Sequence, residues 1–206
     1  MVNQPLNISS IQSQLHALAQ REGVSKWDLG ASRSSSASVQ VDRGEAKQLK
    51  ASQRSSITVR VWNQRGLVGI TSTSDLSDSG LEKALMGAHQ ASAFGNPDDV
   101  PGFSPLATAP QPDLHRPLQD PQGIQTLLEQ LLDAERQLLA RHPAIGTLPY
   151  NALNEGSSER IYLNSEGALR QAQRTQASIF LMARAEESGR KPRSGGAVRV
   201  ALGSRD

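Results

Sequence analysis

Residues 55–95 read SSITVRVWNQRGLVGITSTSDLSDSGLEKALMGAHQASAFG, and the rest of the chain is organised around this stretch. Ile57, Val59 and Val61 alternate with polar or amphipathic residues, a period of two that predicts a half-buried strand. Residues 63–66, Asn-Gln-Arg-Gly, supply turn chemistry, and an extended apolar run follows them. The first half of the stretch therefore predicts a β-hairpin.

The second half of the stretch changes to the period of a helix. Apolar residues recur at positions i, i+3, i+4 and i+7, namely Leu81, Ala84, Leu85 and Ala88. Ser77 can cap the first turn, while Ser79 with Glu82 offers a competing capping box. Gly95 suits the position after the last helical turn. The stretch as a whole predicts a hairpin that leads directly into a packed helix.

The residues before this hairpin predict another helix and more extended chain. Apolar residues at helical spacing are Ile8, Ile11, Leu15 and Leu18, and Gly23 is expected to end this helix. Residues 27–31 alternate as a strand, the polar residues 32–38 fit a hairpin connection, and residues 39–41 form the next strand. Residues 45–54 are ambiguous, and we expect them to be extended or irregular.

A break in composition divides the chain. Seven prolines lie between residues 96 and 121, and proline both fixes φ and removes a hydrogen-bond donor. This segment is therefore expected to be an extended surface linker rather than a helix or a central strand. The predicted organisation is an N-terminal α+β domain at 1–96, a proline-rich linker at 97–120 and a second α+β unit at 121–206.

The second unit begins with the most strongly apolar helix face of the chain. Asp120-Pro121 is predicted to start that helix and His142-Pro143 to end it. Its apolar face is formed by Ile124, Leu127, Leu128, Leu131, Leu138 and Leu139. Strands are predicted at 150–152, 161–163, 177–185 and 197–202, with turns at 164–167 and 188–196. The fold class is therefore α+β, as two units of mixed, largely antiparallel sheet with packed amphipathic helices.

Composition limits the classes of function. The net charge is only +2, from 22 basic and 20 acidic residues, so nucleic acid is an unfavoured partner. The basic residues near the end, Arg184, Arg190, Lys191, Arg193, Arg199 and Arg205, are interpreted as a solvated hairpin tip. Cysteine is absent, which excludes disulfides and thiolate zinc sites and fits a reducing compartment. With neither a signal peptide nor a membrane span, a cytoplasmic location is expected.

No catalytic, cofactor-binding or metal-ligating residue can be assigned from motifs. The four histidines, His16, His89, His115 and His142, are scattered and form no His-Glu-x-x-His-like arrangement. Serine is frequent, but no Gly-x-Ser-x-Gly elbow or Walker loop occurs. A distant pair such as His89 and His115 could still meet in the fold. Taken alone, the residues describe a scaffold without a visible active site.

Several short motifs, in this order, resemble the N-terminal region of the TldD/PmbA family, also called TldD/TldE or modulator of DNA gyrase. They are residues 41–45 (VDRGE), 57–61 (ITVRV), 69–77 (GITSTSDLS), 109–114 (APQPDL), 164–167 (NSEG) and 183–187 (ARAEE). The string at 72–77 is closer to the PmbA/TldE side of the family. The abrupt end at Asp206, just past a strand-like run, favours a truncated N-terminal portion over a short relative.

The resemblance implies a dimeric metallopeptidase that degrades or processes unfolded peptides. In that family the TldD-type subunit carries a His-Glu-x-x-x-His zinc motif in its later part, and the PmbA/TldE-type partner lacks it. This sequence has no such motif, so no catalytic or zinc residue carries over, and zinc is implied only for the catalytic partner subunit. The implied partners are unfolded peptide and a TldD-type subunit or a second copy.

Two alternative functions, from different classes, are therefore considered. The first is the N-terminal scaffold of a TldD/PmbA-type protein, which guides extended peptide and is inactive alone. The alternative is a non-enzymatic binding module that contacts DNA or a topoisomerase, as the family's older name implies. A steep loss of DNA affinity with salt would distinguish the second from the first.

Overall fold

The structure, a computed structural model, describes residues 6–110, 121–147 and 150–202. Within these ranges the chain is α+β, as predicted. Its helices are α1 (Ile8–Arg21), α2 (Asp78–Ala91) and α3 (Ile124–Leu139), with a 3-10 turn at Ser92–Phe94. Its strands are β1 (Lys26–Asp42), β2 (Glu45–Trp62), β3 (Val68–Thr73), β4 (Ile145–Thr147), β5 (Asn151–Asn164), β6 (Leu169–Ala185) and β7 (Arg193–Leu202).

The described strands form one antiparallel sheet in the order β3-β2-β1-β5-β6-β4, and β7 also pairs with β6. The predicted hairpin is confirmed, because Ile57 lies opposite Thr73 and Trp62 lies opposite Val68 across β2 and β3. Its turn carries Gly66 at a φ of 78°, a conformation that glycine adopts without steric cost.

The chain folds into two compact units that are not contiguous in sequence. Unit 1 contains Met1–Ser34, Arg54–Leu114 and Ser158–Gln173, and unit 2 contains Ser35–Gln53, His115–Ser157 and Arg174–Asp206. The strands β1, β2, β5 and β6 are long enough to contribute residues to both units. This spatial division differs from the predicted division of the sequence at 97–120, which remains a prediction about sequence domains.

Unit 1 has an aliphatic core between its two helices and one face of its strands. Strands β1, β2 and β5 contribute alternate residues to it, and α1 and α2 contribute residues three or four apart. The strand residues are Trp27, Leu29, Ala31, Ile57, Val59, Val61, Ile161 and Leu163; the helix residues are Ile11, Leu15, Ala19, Leu81, Ala84, Leu85 and Ala88. Both predicted apolar stripes are thereby confirmed as core faces.

Unit 2 has a smaller core and a buried polar link. The core joins α3 to the strands through Val39, Val41, Leu127, Leu131 and Leu153. Glu135, also buried on α3, accepts hydrogen bonds from the Gly44 amide at 2.7 Å and from Asn151 Nδ2 at 3.3 Å. Because a buried carboxylate is costly unless its oxygens are paired, this link fixes the β1–β2 turn to the helix.

Several strands are longer than the sequence indicated. Residues 32–38 are predicted to connect two strands, but they lie inside β1, and residues 151–152 and 161–163, predicted in two separate strands, belong to the single strand β5, which begins at Asn151. Serines in these polar stretches pair across neighbouring strands, with Ser35 Oγ 2.8 Å from Ser157 Oγ. A strand with a neighbour on each side can pair its backbone N–H and C=O groups whatever its side chains are. Polar side chains in these segments therefore do not indicate that the strand is interrupted.

The boundaries of two helices also differ from expectation. Helix α3 begins at Ile124, after Gly123 at a φ of 89°, rather than at Pro121, and it ends at Leu139; Asp120 lies outside the described residues. Gly95 does not occupy a left-handed position after α2, since its φ is −62°. A side chain there would meet Val68 O at 2.7 Å, so close packing explains this glycine. The cap at Ser77 is confirmed, because its side chain accepts from the Gly80 amide.

The packing of α2 on β3 generates a stability prediction. A Cβ atom at Gly69 would lie 2.0 Å from Ala88 O and 2.3 Å from Ser92 N, both backbone atoms that cannot rotate away. Gly69→Ala should therefore lower the free energy of unfolding by about 3 kcal/mol, measured by urea denaturation. Gly195→Ala is the control, because a Cβ at Gly195 in β7 meets nothing within 4 Å. Equal unfolding midpoints for the two variants would contradict this packing.

Candidate functional site

The strands of unit 1 expose a polar face opposite the helices. Side chains alternate between the faces of a strand, so burial of Trp27, Leu29 and Ala31 under the helices places Asp28 and Gly30 on the other face. The same alternation applies to β2 and β5. This second face carries hydroxyl, guanidinium and aromatic groups and is called the open face below.

A groove of about 500 Å³ lies on the open face. Residues from four strands line it: Gly30, Ala31 and Ser32 from β1; Ser56 and Thr58 from β2; Arg160, Ile161 and Tyr162 from β5; and Arg170, Gln171 and Ala172 from β6. Its hydroxyl groups are fixed by neighbours, since Ser32 Oγ lies 2.9 Å from Ser56 Oγ and Thr58 Oγ1 lies 2.8 Å from Ser72 Oγ. The groove thus has an ordered polar floor.

Gly30 is an open position in that floor. It lies in the interior of β1 and is exposed, its φ is not in the left-handed region, and a Cβ built on it meets nothing within 4 Å. Neither a turn nor close packing of the described residues therefore requires glycine at this position. The missing side chain leaves the backbone of β1 accessible from the groove.

Two arginines give the groove a positive charge. Arg160 is exposed and makes no hydrogen bond or ion pair with the described residues. Arg170 donates through Nη1 to Leu169 O and through Nη2 to Leu106 O, both at 3.1 Å, and also to Ala109 O. Its Nε–H is buried without a partner among the residues that the structure describes. None of the lining residues is acidic, although Gln171 and Tyr162 in the lining donate to Glu159 and Asp28 beside it.

A buried ion pair lies beside the groove on the open face. Arg60 donates through Nε to Asp28 Oδ1 at 2.8 Å and through Nη2 to Oδ2, while the Tyr162 hydroxyl donates to Asp28 Oδ2 at 3.2 Å. Asp28 is only 2% exposed. The hydrogen bonds to Asp28 raise the pKa of Arg60. Burial, together with the negative charge of Asp28, raises the pKa of Tyr162, so this phenol remains neutral.

The proline-rich segment packs against one end of the open face. Trp62 donates from Nε1 to Pro101 O at 2.9 Å, and its ring meets that of Phe103 edge-on at a centroid distance of 4.9 Å. Lys26 places its Nζ about 5 Å from both rings, a favourable cation–π distance. With the Arg170 contacts, these interactions hold residues 101–109 along the face, where they form no helix or strand.

Three of the four histidines lie among the described residues, and each has a different environment. The His16 ring meets Trp27 edge-on at 5.0 Å, His89 lies in the last turn of α2, and His142 Nδ1 accepts from the Ala144 amide at 3.1 Å. His115 lies outside the described residues. Within 6–110, 121–147 and 150–202, no three His, Asp or Glu side chains come together in an arrangement that could hold a metal ion.

The predicted basic cluster lies on the exposed β6–β7 hairpin, except for Arg205, which is outside the described residues. Arg184 pairs with Glu186 at 2.5 Å, and Arg190 pairs with Glu187 at 3.0 Å. These exposed acidic partners reduce the local positive charge. A separate finding concerns the helices: none among the described residues has the length and apolar content needed to cross a bilayer.

Sequence reasoning missed the groove altogether. Its residues lie on four strands, and the cross-strand pairing that brings Arg160 and Arg170 near Gly30 is not a local property of the sequence. One local signal was present, because Gly30 interrupts an otherwise alternating strand between two core residues, Leu29 and Ala31. An interior strand glycine of this kind often marks a close approach by a ligand or another backbone.

Comparison with known proteins gives two family matches. Residues 27–91 match the model of PmbA/TldA metallopeptidase domain 1, and residues 118–204 match that of the PmbA/TldA metallopeptidase central domain. No curated protein sequence matches the chain.

Similar solved structures include proteins from three organisms. A proposed modulator of a DNA gyrase from Thermotoga maritima is 16% identical with a TM-score of 0.69, covering 95% of this chain and 43% of that one. TldE from Thermococcus kodakarensis is 13% identical, with a TM-score of 0.68 and coverages of 92% and 42%. A proposed modulator of DNA gyrase from Bacteroides thetaiotaomicron is 15% identical, with a TM-score of 0.71 and coverages of 94% and 45%. At these identities the likeness shows the fold, and this chain spans less than half of each structure.

The environment of Tyr162 predicts a late phenol titration. The chain has two tyrosines, so Tyr150→Phe leaves Tyr162 alone, and its ultraviolet titration midpoint should lie above that of an ordinary tyrosine, about pH 10. Because the folded-state pKa is raised, the related stability is fully present below about pH 10 and is lost as the pH rises through the folded value. The same variant in denaturant provides the reference. A folded midpoint at or below this reference would contradict the burial of the phenol beside Asp28.

Proposed function

This chain belongs to the PmbA/TldD metallopeptidase family, and we propose that it is the scaffold and peptide-guiding region of a TldD/PmbA-type protein of proteolysis or peptide processing. The single observation that carries the proposal is the open face of unit 1. It offers an ordered polar groove on a sheet, and residues 101–109 are held along one end of the same face. The chemistry of peptide cleavage is supplied elsewhere in the assembly.

The open face is suited to an extended chain rather than to a compact small molecule. An unfolded peptide presents backbone donors and acceptors along its length, and the groove offers the hydroxyls of Ser32, Ser56 and Thr58 in fixed positions. Hydroxyls can both donate and accept, so they fit many peptide sequences. This adaptability supports a guiding role in which the chain orients peptide without selecting one sequence strictly.

Zinc, which the family implies, is not assigned to the described residues. A hydrolytic zinc needs about three protein ligands with an open position for water. His16 is packed on Trp27, and His142 accepts a backbone hydrogen bond, so these imidazoles do not converge on one site. The role proposed for this chain is to bind and orient the peptide, with a TldD-type subunit as its zinc-bearing partner.

A second function, contact with DNA or a topoisomerase, is favoured by one feature, the exposed basic hairpin between β6 and β7. Lys191, Arg193 and Arg199 are exposed on it. The ion pairs of Arg184 and Arg190 with neighbouring glutamates weaken this candidate. Binding through such a hairpin would depend on phosphate contacts and would fall steeply with salt.

We expect the isolated chain to bind unfolded peptide without cleaving it. The purified chain should bind a fluorescein-labelled unfolded peptide, measured by anisotropy, and leave it intact; cleavage should appear when a TldD-type subunit is added. A TldD-type subunit alone and the chain alone are the matched controls, with product measured by mass spectrometry.

Two outcomes would contradict the proposal. The first is cleavage by the isolated chain together with zinc retained after dialysis, which would make the chain itself the peptidase. The second is absence of peptide binding combined with DNA binding that weakens steeply between low and physiological salt. That second result would instead support the DNA-binding function.

A further inference from the structure

We propose that the groove of unit 1 binds an acidic segment of an extended peptide, whose backbone passes over Gly30 and whose carboxylates pair with Arg160, beside the positive charge of Arg170. The peptide nature of this ligand rests on the function proposed above. The acidic preference and the position of the segment are new, and they follow from the floor, the charge and the size of the groove.

The position follows from Gly30. Glycine in the interior of a strand weakens that strand by roughly 0.5–1 kcal/mol relative to alanine. At a position with neither a turn nor a close neighbour, the presence of glycine therefore needs another explanation. A Cβ at Gly30 would point into empty space within the groove. Any side chain there would occupy the volume that a crossing peptide backbone requires. The missing side chain is explained if a ligand approaches at this point.

The acidic preference follows from the guanidinium groups. Arg160 is exposed and has no partner among the described residues, and a carboxylate satisfies such a guanidinium with strong, charge-assisted hydrogen bonds. The guanidinium of Arg170 adds a second positive charge to the lining. Arg170 is already oriented by the carbonyls of Leu106 and Ala109, so binding an anion does not require it to be ordered anew.

The lining favours peptide over nucleic acid. Binding of a single-stranded nucleic acid uses aromatic platforms for successive bases and a continuous basic track. Tyr162 is the one aromatic residue in the lining, and its hydroxyl is held by Asp28. The cationic residues in the lining are Arg160 and Arg170 alone. The volume of about 500 Å³ lies within the range of ligand sites and accommodates a short peptide segment.

The test uses the full chain, two probes and two pairs of variants. The probes are fluorescein-labelled unfolded peptides of equal length, one rich in glutamate and the other with glutamine at the same positions. Gly30→Val fills the floor, and Gly195→Val is its control in a strand outside the groove. Arg160→Gln removes a charge from the groove, and Arg174→Gln is its control on an exposed position of β6. Unfolding midpoints and circular dichroism establish that each variant is folded.

The expected results separate the two parts of the proposal. The glutamate peptide should bind the unaltered chain about tenfold more tightly than the glutamine peptide, and Arg160→Gln should remove most of that preference. Gly30→Val should weaken binding of both peptides by at least about tenfold, with an unfolding midpoint no lower than that of Gly195→Val. The two control variants should bind as the unaltered chain does.

Other results would overturn the inference in distinguishable ways. Equal binding of the two peptides, with loss in Gly30→Val, would overturn the acidic preference and leave the peptide-guiding function in place. Binding that persists in both groove variants would overturn the site while leaving that function. Absence of binding to either peptide would overturn both. An oligonucleotide that binds more tightly than the glutamate peptide, and depends on Arg160, would assign the groove to nucleic acid instead.

Discussion

The alternation of side chains along the strands of unit 1 divides their residues between a buried face and the open face. The helices α1 and α2 bury one set of positions, with Leu29 and Val59 fully covered, and the intervening positions must then face the other way. Shifting a strand by one residue would bury Asp28 and Thr58 under the helices and expose the core. The apolar face therefore determines which side chains point into the groove.

Polar groups are buried in both units where they hold separate elements together. In unit 1, Asp28 joins β1 to Arg60 on β2 and to Tyr162 on β5. In unit 2, Glu135 joins α3 to the β1–β2 turn and to β5. Burying a carboxylate costs free energy unless its oxygens are paired, so each arrangement is stable only when all its partners are in place. In unit 1, the hydrogen bonds of Asp28 thereby hold together β1, β2 and β5, and these three strands also contribute residues to the lining of the groove.

How much could be predicted from the sequence depended on the range of the interactions involved. The hairpin at 57–73, the Ser77 cap and the apolar faces of the helices were correctly predicted, because periodicity and capping are local. The sequence did not predict that residues 32–38 lie within a strand, because their pairing depends on neighbouring strands rather than on the serines themselves. Gly95 was assigned to a helix end from its type alone, whereas contact with Val68 explains it. The groove could not be predicted at all, because Arg160 and Arg170 approach Gly30 only through sheet pairing.

We expect the open face of unit 1, rather than the basic hairpin of unit 2, to receive extended peptide. Amide chemical-shift mapping of the isotope-labelled chain during titration with an unfolded acidic peptide distinguishes the two surfaces. The largest shifts are expected at Gly30, Ser32 and Ala172, with smaller changes elsewhere. Shifts confined to residues 186–199 of the β6–β7 hairpin, with those three amides unchanged, would contradict this expectation.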